Sequence, residues 1–330
     1  MNQVIRIARV ALHQALAVVA LTLAAQAQAQ ESPGRPADYV SGVPSPDGSL
    51  IAFIADGSTI DNLYVMKADG TGERRLTHDG ATLPRWVGNP ARISFAGTGK
   101  DSGRVFMVNA DGSGRRMVAE VEGRNPVLSP DGRRIAFLRG PWRQAEIWVS
   151  SVDSSNARRV AGGWEPFRRS WSSAWNPAWS PDAARLAYTY GDSTRLTQIH
   201  VVKVVGSVRD TAVTDTLEFR LAAQMPAWSP DGRRLAVQST SDHVKGIRIR
   251  VIDMSTREFR ILDMPVPKDV PVESVRDEVP AWFPDGRRIA FQSNRAGDVD
   301  IWIVNDDGTD PRQLTGQVHT PEGLKKPTTP

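Results

Sequence analysis

Two short apolar strands joined by a tight turn are predicted by the stretch Val279-Pro-Ala-Trp-Phe-Pro-Asp-Gly-Arg-Arg-Ile-Ala-Phe291. In Pro284-Asp285-Gly286, proline presets φ, aspartate tolerates turn geometry, and glycine accepts the positive φ that closes the turn. The apolar run Ile289-Ala290-Phe291 then reads as a buried strand. One isolated hairpin is only marginally stable in water, so this stretch predicts a fold in which many hairpins pack together.

The same turn recurs along the chain with a period of about 40 to 50 residues, which is typical of propeller blades. Its central position is occupied in turn by Asp47, Asn89, Asp131, Asp182, Asp231 and Asp285. Each repeat contains four short apolar strands, which in the fourth repeat include segments near 199–205 and 217–221. No long segment has helical periodicity. The sequence therefore predicts an all-β, six-bladed β-propeller of four-stranded antiparallel blades. Because each repeat is complete, blade one is expected to pack against blade six, and a shared blade that borrows a terminal strand is the alternative.

The chain of 330 residues divides into four predicted parts. Residues 1–29 read as a signal peptide, because Arg6 and Arg9 precede an apolar run, Ala15 to Ala25, and small-x-small cleavage patterns follow it. An uncleaved N-terminal anchor is the alternative. Residues 30–37 form a linker, 38–316 the propeller and 317–330 a disordered tail. The chain has no cysteine, which rules out disulfides and a lipid-bearing cysteine. We expect a periplasmic or secreted monomer, without stable membrane insertion once the signal peptide is removed.

Two segments, Pro226–Ala236 and Asp300–Thr315, resemble the repeat of TolB-like β-propellers. The resemblance covers about residues 40–315 and implies a six-bladed propeller in the cell envelope. TolB itself has an α/β domain before its propeller, whereas here the leader runs almost directly into the first blade. The resemblance therefore does not extend to the role of TolB in the Tol–Pal system. The same repeat is similar to propellers found beside serine-peptidase domains and in oligogalacturonate lyases.

The sequence offers no catalytic residue, metal site or cofactor site that we would nominate. No Gly-x-Ser-x-Gly elbow is present, and the histidines outside the leader have no ligand-like spacing: His78, His200, His243 and His319. Residues 305–310 are rich in oxygen ligands but lack the spacing of an EF-hand loop. The net charge is +4, which gives no electrostatic argument for nucleic acid.

The tryptophans fall into two groups. Those that share repeat positions are predicted to pack the blades: Trp86, Trp179, Trp228 and Trp282 at one position, and Trp148 and Trp302 at another. The other tryptophans lie in connections of variable length. Topology places all such connections on one face of the ring, and they are 96–104, 138–146, 162–176, 189–197 and 263–279. Exposed tryptophan beside arginine is typical of an interface anchor. The candidate binding residues are Trp142, Arg143, Trp164, Phe167, Arg168, Arg169, Trp171 and Trp175.

These residues predict a non-catalytic module that binds a protein or peptide, or serves as a scaffold, in the cell envelope. One alternative is that the aromatic loop plugs the channel of its own ring, and another is that it stacks on a small carbohydrate. An alternative of a different class is a carbohydrate-active or lactonase-type propeller enzyme that uses channel carboxylates. The repeated Asp-Gly-Arg-Arg elements are interpreted as turns flanked by solubilising charge.

Overall fold

The computed structural model describes residues 39–57, 60–88, 90–153, 155–165, 170–191, 197–204, 210–212, 222–241 and 244–316. The predicted signal peptide 1–29, linker 30–37 and tail 317–330 lie outside these ranges. Within them the chain is built of β-strands, with 3-10 turns at Gly99–Asp101, Trp142–Gln144 and Val272–Ser274. The described part of the chain holds no helix of the length and apolarity that crossing a membrane requires.

The first three blades contain four strands each. Blade one consists of β1 Tyr39–Pro44, β2 Leu50–Gly57, β3 Ile60–Lys67 and β4 Arg74–Arg75. Blade two consists of β5 Thr82–Val87, β6 Arg92–Ala96, β7 Arg104–Val108 and β8 Arg116–Glu120. Blade three consists of β9 Arg124–Leu128, β10 Arg134–Arg139, β11 Glu146–Ser151 and β12 Arg158–Ala161.

The last three blades repeat this plan, and blade four carries one additional strand. Blade four consists of β13 Gly163–Glu165, β14 Ser170–Trp179, β15 Arg185–Gly191, β16 Thr197–Lys203 and β17 Asp210–Ala212. Blade five consists of β18 Ala222–Trp228, β19 Arg234–Ser241, β20 Val244–Asp253 and β21 Phe259–Ile261. Blade six consists of β22 Asp277–Trp282, β23 Arg288–Ser293, β24 Asp300–Asn305 and β25 Arg312–Gln313.

The six-bladed β-propeller is confirmed. All strand pairs within the blades are antiparallel, and each blade runs outward from an inner strand: β1, β5, β9, β14, β18 or β22. The predicted fourth strand of blade four was wrong. The strand that pairs with β16 is Asp210–Ala212, which follows β16 closely, and 217–221 lies outside the described residues.

The hydrophobic core lies between the blades. Six buried clusters are present among the described residues, one for each pair of neighbouring blades. The cluster between blades six and one joins Ile51 and Phe53 to Phe283 and Ile301. At the same junction Gly70, with φ 87°, lies so close to blade six that an added Cβ would be 2.6 Å from the Leu314 carbonyl oxygen. The ring therefore closes by packing complete blades together, as the repeats predict.

A tryptophan at the end of the inner strand joins one blade to the preceding blade. The indole Nε1 of Trp228 donates to the Ala178 carbonyl oxygen at 3.1 Å. Three more tryptophans make the equivalent bond at distances of 2.9–3.2 Å: Trp86 to Val43, Trp179 to Val127 and Trp282 to Ala227. The prediction that these residues pack the blades is confirmed. Blades one and three carry Pro44 and Leu128 at this position and lack the bond.

The second arginine of the Asp-Gly-Arg-Arg element was wrongly interpreted as a solubilising charge in blades three and five, where it is Arg134 and Arg234. Arg185 holds the same position in the Asp-Ala-Ala-Arg of blade four, whereas Arg288 of blade six pairs with its own Asp285. The Arg185 guanidinium carbon lies 4.5 Å from the centroid of the Trp228 ring in the next blade, and its Nη2 donates to the Gly232 carbonyl oxygen. Arg134 and Arg234 make the same two contacts with the blades that follow them. These contacts join residues about fifty positions apart, so the hairpin sequence alone does not reveal them.

We expect the indole bond to contribute measurably to the stability of the ring. Replacing Trp228 by Phe removes the donor to a buried carbonyl and should lower the free energy of unfolding by about 1–3 kcal/mol. The matched control is Trp302→Phe, because the Trp302 Nε1 is shielded from water and has no hydrogen-bond partner among the described residues. Urea unfolding of both variants should show the smaller loss for Trp302→Phe. Equal losses would contradict a role for the bond.

Glu73 predicts a dependence of stability on pH. Its Oε1 is buried without a hydrogen-bond partner among the described residues, and burial raises its pKa from 4.5 to about 7. Because the folded state holds this proton more tightly than the unfolded state, its stabilising effect is present below about pH 4.5 and is lost as the pH rises to about 7. We expect Glu73→Gln to be more stable than wild type at pH 8 but not at pH 4.5.

Urea unfolding at both pH values measures this difference. The control is Glu122→Gln, because the Glu122 side chain is 95% exposed. An unchanged pH dependence in Glu73→Gln would show that the carboxyl of Glu73 titrates normally.

Candidate functional site

The two faces of the ring differ in how far their polar groups are already hydrogen-bonded within the protein. The turn face, formed by the connections between first and second and between third and fourth strands, carries aspartates that accept bonds from their own turns. Asp47, for example, accepts from the Ser45 hydroxyl at 2.5 Å, and its pKa is lowered to about 2 mainly by that bond. At 305–310, Asp307 accepts from Thr309 and Asp306 is bound by Arg234 and Arg260. These turn carboxylates are already engaged.

The opposite face, called the loop face, carries most of the exposed apolar side chains. Four large hydrophobic side chains of the described residues are exposed: Ile60, Met117, Trp142 and Val272. Three of them, all except Met117, lie in or at the ends of loop-face connections. The Trp142 side chain is 65% exposed, which is unusual for tryptophan. Apolar surface is therefore concentrated on the face that does not repeat.

Every inner strand contains a bulge near the loop face. One residue in each has a positive φ of 50–58°, although none of the six is glycine: Ser41, Leu83, Asn125, Asn176, Met225 and Val279. The strand register shifts at the same place in each blade. An unpaired residue in a bulge bends its strand and changes the direction of its neighbours.

The residue before each bulge forms a set that we call the mouth ring. It consists of Val40, Thr82, Arg124, Trp175, Gln224 and Glu278. Each pairs with a residue near the end of the second strand, for example Arg124 with Leu138 and Glu278 with Gln292. These positions therefore lie toward the loop face, on the strands that surround the central channel, and all six side chains are half-buried.

Arg124 links the mouth ring to the exposed tryptophan of blade three. Its Nη1 donates to the Gly140 carbonyl oxygen at 2.5 Å, and its guanidinium carbon lies 5.8 Å from the centroid of a Trp142 ring. Its Nη2 is shielded from water and has no hydrogen-bond partner among the described residues. Sequence reasoning missed Arg124. Aligning the inner strands on their shared tryptophan position would have placed it beside the other mouth residues.

The segment 162–176 was predicted as an irregular connection, and this prediction was wrong. β13 pairs antiparallel with the start of β14, so that Trp164 lies opposite Trp171 in the backbone register. The reason is that β14 has ten residues and extends beyond the bulge, where β13 can pair with it. The side chains of Trp164 and Trp171 are outside the described part of the structure.

Trp175 was predicted to belong to no repeat position, and this was also wrong. It occupies the mouth-ring position of blade four and pairs with Thr189 in β15. Its ring packs against the core cluster between blades three and four and covers Gly191, where an added Cβ would be 2.7 Å from the ring. Trp175 is therefore a half-buried wall residue that connects the mouth ring to the core.

The remaining candidate residues are placed in part. Arg143 lies in the turn Trp142–Gln144, which packs against β14. Directly after this turn, the Ala145 carbonyl oxygen accepts a bond from the Ala174 N–H. The segments that carry Trp142 and Trp175 are thus neighbours. Phe167, Arg168 and Arg169 lie outside the described residues, as does the side chain of Arg143.

A buried ion pair fixes the long connection 263–276. The Arg295 side chain, which is 2% exposed, donates through Nη2 to both carboxylate oxygens of Asp277 at 2.7 and 2.8 Å. Its Nη1 donates to the Pro265 carbonyl oxygen. Arg248 bonds the carbonyl oxygens of Val272 and Val275, and burial lowers its pKa. This connection is one of those predicted from their variable length, and buried guanidinium groups bond its backbone carbonyls.

The charges of the mouth are unevenly satisfied. Glu278 in blade six accepts from the Arg276 guanidinium at 2.7 Å through Oε1 and from Gln292 Nε2 at 3.1 Å through Oε2. Arg85, on the inner strand of blade two, donates to the Pro84 carbonyl oxygen, and burial lowers its pKa. Glu278, the acidic member of the mouth ring, is thus neutralised by Arg276, whereas Arg124 has no carboxylate partner among the described residues.

Histidine and acidic residues form no ligand cluster in the described ranges, where no group of three or more His, Asp or Glu side chains is close enough to hold a metal ion. His200 is buried and its ring stacks on Tyr190 with a centroid separation of 4.3 Å. It pairs with Tyr188 as Trp302 pairs with Phe291. His200 is therefore a packed strand residue. His243 and His319 are not among the described residues.

Comparison with known families and curated proteins yields matches to TolB. Residues 165–323 match the TolB beta propeller domain family. The Tol-Pal system protein TolB of Anaeromyxobacter dehalogenans is 47% identical over 55 residues, which is 16% of this chain and 13% of that protein. The chain therefore aligns with only a small part of this relative.

Comparison with solved structures gives propellers of low sequence identity. TolB from Acinetobacter baumannii has a TM-score of 0.61 and 17% identity, covering 85% of this chain and 63% of that one. An oligogalacturonate lyase in complex with manganese has a TM-score of 0.55 and 14% identity, covering 84% and 76%. At these identities the likeness concerns the fold.

We expect the Asp277–Arg295 pair to stabilise the loop face strongly. Replacing Asp277 by Asn leaves a buried guanidinium without its counter-ion and should cost about 3–5 kcal/mol in the free energy of unfolding. The control is Asp310→Asn, because the Asp310–Arg312 pair is at the surface and the Asp310 side chain is 63% exposed. This change should cost less than about 1 kcal/mol. Urea unfolding compares them, and similar losses would mean that the buried pair has no special role.

Proposed function

Because this chain is a TolB-like β-propeller, we propose that it is a non-catalytic binding or scaffold module of the cell envelope that engages a protein or peptide on its loop face. The observation that carries the proposal is the exposed Trp142 beside Arg124 at the mouth of the channel, where the Arg124 Nη2 has no hydrogen-bond partner among the described residues. Tryptophan and arginine are the residues that most often dominate binding energy at protein interfaces.

The proposed surface consists of the residues identified in the sequence, with Arg124 added: Trp142, Arg143, Trp164, Phe167, Arg168, Arg169, Trp171 and Trp175. Two observations support treating them as one surface. The Trp142–Gln144 turn packs against β14, which contains Trp171 and Trp175. The backbone positions of Trp164 and Trp171 are directly opposite each other. Trp175 would act as a wall of the surface, since its ring is packed against the core.

The turn face is a poorer candidate for recognition. Its aspartates accept hydrogen bonds from their own turns, and Arg185 and Arg234 bind the next blade. A partner would have to compete with these intramolecular bonds. The loop face offers exposed apolar area at no such cost.

We further propose that the protein is exported to the periplasm or secreted, and that it acts as a monomer. The basic and apolar pattern of residues 1–29 supports export. The matches to proteins named Tol-Pal system protein TolB are in keeping with a partner in the cell envelope. The alternative, a carbohydrate-active or lactonase-type enzyme, has as its support the likeness of fold to an oligogalacturonate lyase.

Photo-crosslinking in cells tests the choice of face. A photoreactive amino acid at position 142 should trap a discrete envelope partner, whereas the same amino acid at Arg233, an exposed residue of the turn face, should not. Trp164→Ala/Trp171→Ala should reduce the yield at position 142 by about tenfold or more, as expected for removal of interface anchors.

Two results would contradict the proposal. Equal products from positions 142 and 233 would show that neither face is selective. An undiminished crosslinking yield in Trp164→Ala/Trp171→Ala would show that these two tryptophans do not contribute to binding. The circular dichroism spectrum and thermal midpoint of each variant provide the check that the ring is intact.

A further inference from the structure

We propose that Arg124 is a carboxylate-binding residue, so that the partner segment seated at the channel mouth carries an acidic group next to an apolar side chain. This inference rests on the proposed function and specifies the chemistry of the partner. It concerns the side of the mouth formed by blades two, three and four.

Arg124 differs from most of the described loop-face arginines in lacking an acidic partner. Arg104 pairs with Asp101 and Glu120, Arg139 with Glu122, Arg159 with Glu146, and Arg276 with Glu278. No carboxylate of the described residues lies within 4.0 Å of the Arg124 guanidinium. Its Nη2 is nevertheless shielded from water and makes no hydrogen bond in the described structure. A charged donor in that state favours an oxygen ligand.

The Arg124 guanidinium is also held in place before any ligand arrives. One nitrogen is bound to the Gly140 carbonyl oxygen, and the group lies over the Trp142 ring. Less rotamer freedom is therefore lost when a carboxylate binds, which favours affinity. Gln144 and Pro141 close the same turn through a backbone bond of 2.9 Å, so that Trp142 is carried by an ordered segment.

The neighbouring inner strand adds positive charge. β5 is next to β9, and its Arg85 is half-buried, bonds the Pro84 carbonyl oxygen at 2.7 Å and has no described carboxylate within 4.0 Å. Glu278, the acidic member of the mouth ring, has both oxygens occupied by Arg276 and Gln292. The described mouth-ring residues thus present one unsatisfied cation, Arg124, without an unsatisfied anion, and the mouth should prefer anionic segments.

The apolar half of the predicted ligand follows from the neighbours of Arg124. Trp142 is the most exposed large hydrophobic side chain described on this face, and Trp175 lines the mouth ring one blade further on. A segment whose carboxylate reaches Arg124 would place its adjacent residue against these rings. We therefore expect Asp or Glu beside an aromatic or aliphatic residue.

Selection from a random peptide library displayed on phage tests both the partner class and its charge. The purified chain without residues 1–29 is used as bait in four forms: wild type, Arg124→Gln, Arg124→Lys and the turn-face control Arg233→Gln. Wild type and Arg233→Gln should enrich peptides with an acidic residue beside an apolar one. Arg124→Gln should retain the apolar preference and lose the acidic one, and Arg124→Lys should keep part of it.

Affinities then measure the contact itself. For the most enriched peptide, fluorescence anisotropy should show binding to Arg124→Gln that is about 30-fold or more weaker than binding to wild type, as expected when one member of a shielded charge pair is truncated. Changing the acidic residue of the peptide to its amide should weaken wild-type binding equally and have little further effect on Arg124→Gln. An amidated C-terminus distinguishes a terminal carboxylate from a side-chain one.

The outcomes separate the two proposals. Enriched peptides without an acidic preference, or an acidic preference that persists in Arg124→Gln, would overturn the role of Arg124 and leave peptide binding in place. The absence of any enriched peptide with folded wild type would overturn peptide binding on this face. Displacement of the peptide by digalacturonate at equal or lower concentration would reassign the site to an acidic sugar. Arg124→Gln retains a donor for the Gly140 carbonyl oxygen, and its thermal midpoint checks that it is folded.

Discussion

The bond from an indole N–H to the carbonyl oxygen of the preceding inner strand fixes neighbouring blades in register. Trp228 illustrates why one residue has this effect: its ring fills the cluster between blades four and five, its Nε1 binds Ala178, and Arg185 lies over its face. Burial alone would allow two sheets to slide, since apolar contact has no direction. The hydrogen bond and the stacked guanidinium set the position of one blade on the next.

As a result, the repeated sequence pattern is confined to the half of each inner strand that lies toward the turn face. Toward the turn face, the tryptophan bond and the Pro-Asp-Gly turn leave little freedom. Toward the loop face, a residue with positive φ precedes proline or, in blade one, glycine. Non-glycine residues in this region are strained by roughly 1–2 kcal/mol each, and such strain persists where the surrounding structure holds it. Beyond the bulge the mouth-ring residues are chemically unlike one another, because they no longer share one packing environment.

The fold could be predicted from the sequence because its signals are local. The Pro-Asp-Gly turn and the apolar run after it lie within one hairpin. This turn position recurs six times, four of them with Pro-Asp-Gly intact, and so predicts six blades. The roles of Arg185 and Arg234 could not be predicted, since each contacts a blade about fifty residues away. Trp175 was misassigned for a related reason: its repeat position becomes visible only when the inner strands are aligned across the bulge. The hairpin 163–172 depends on the unusual length of β14, which no turn motif marks.

The distribution of satisfied charges explains why recognition and folding can occupy separate faces. The turn aspartates and the arginines that reach the next blade are used within the ring, as in the Arg234–Asp306 contact, and the Arg295–Asp277 pair is used to fix a connection. A ligand that drew on them would have to break bonds that hold the blades. Arg124 makes one hydrogen bond to a backbone carbonyl oxygen and one contact with an aromatic ring, and its Nη2 has no hydrogen-bond partner among the described residues. A ligand that satisfies this nitrogen adds a bond without removing one from the fold, so binding at the mouth need not disturb the ring that positions it.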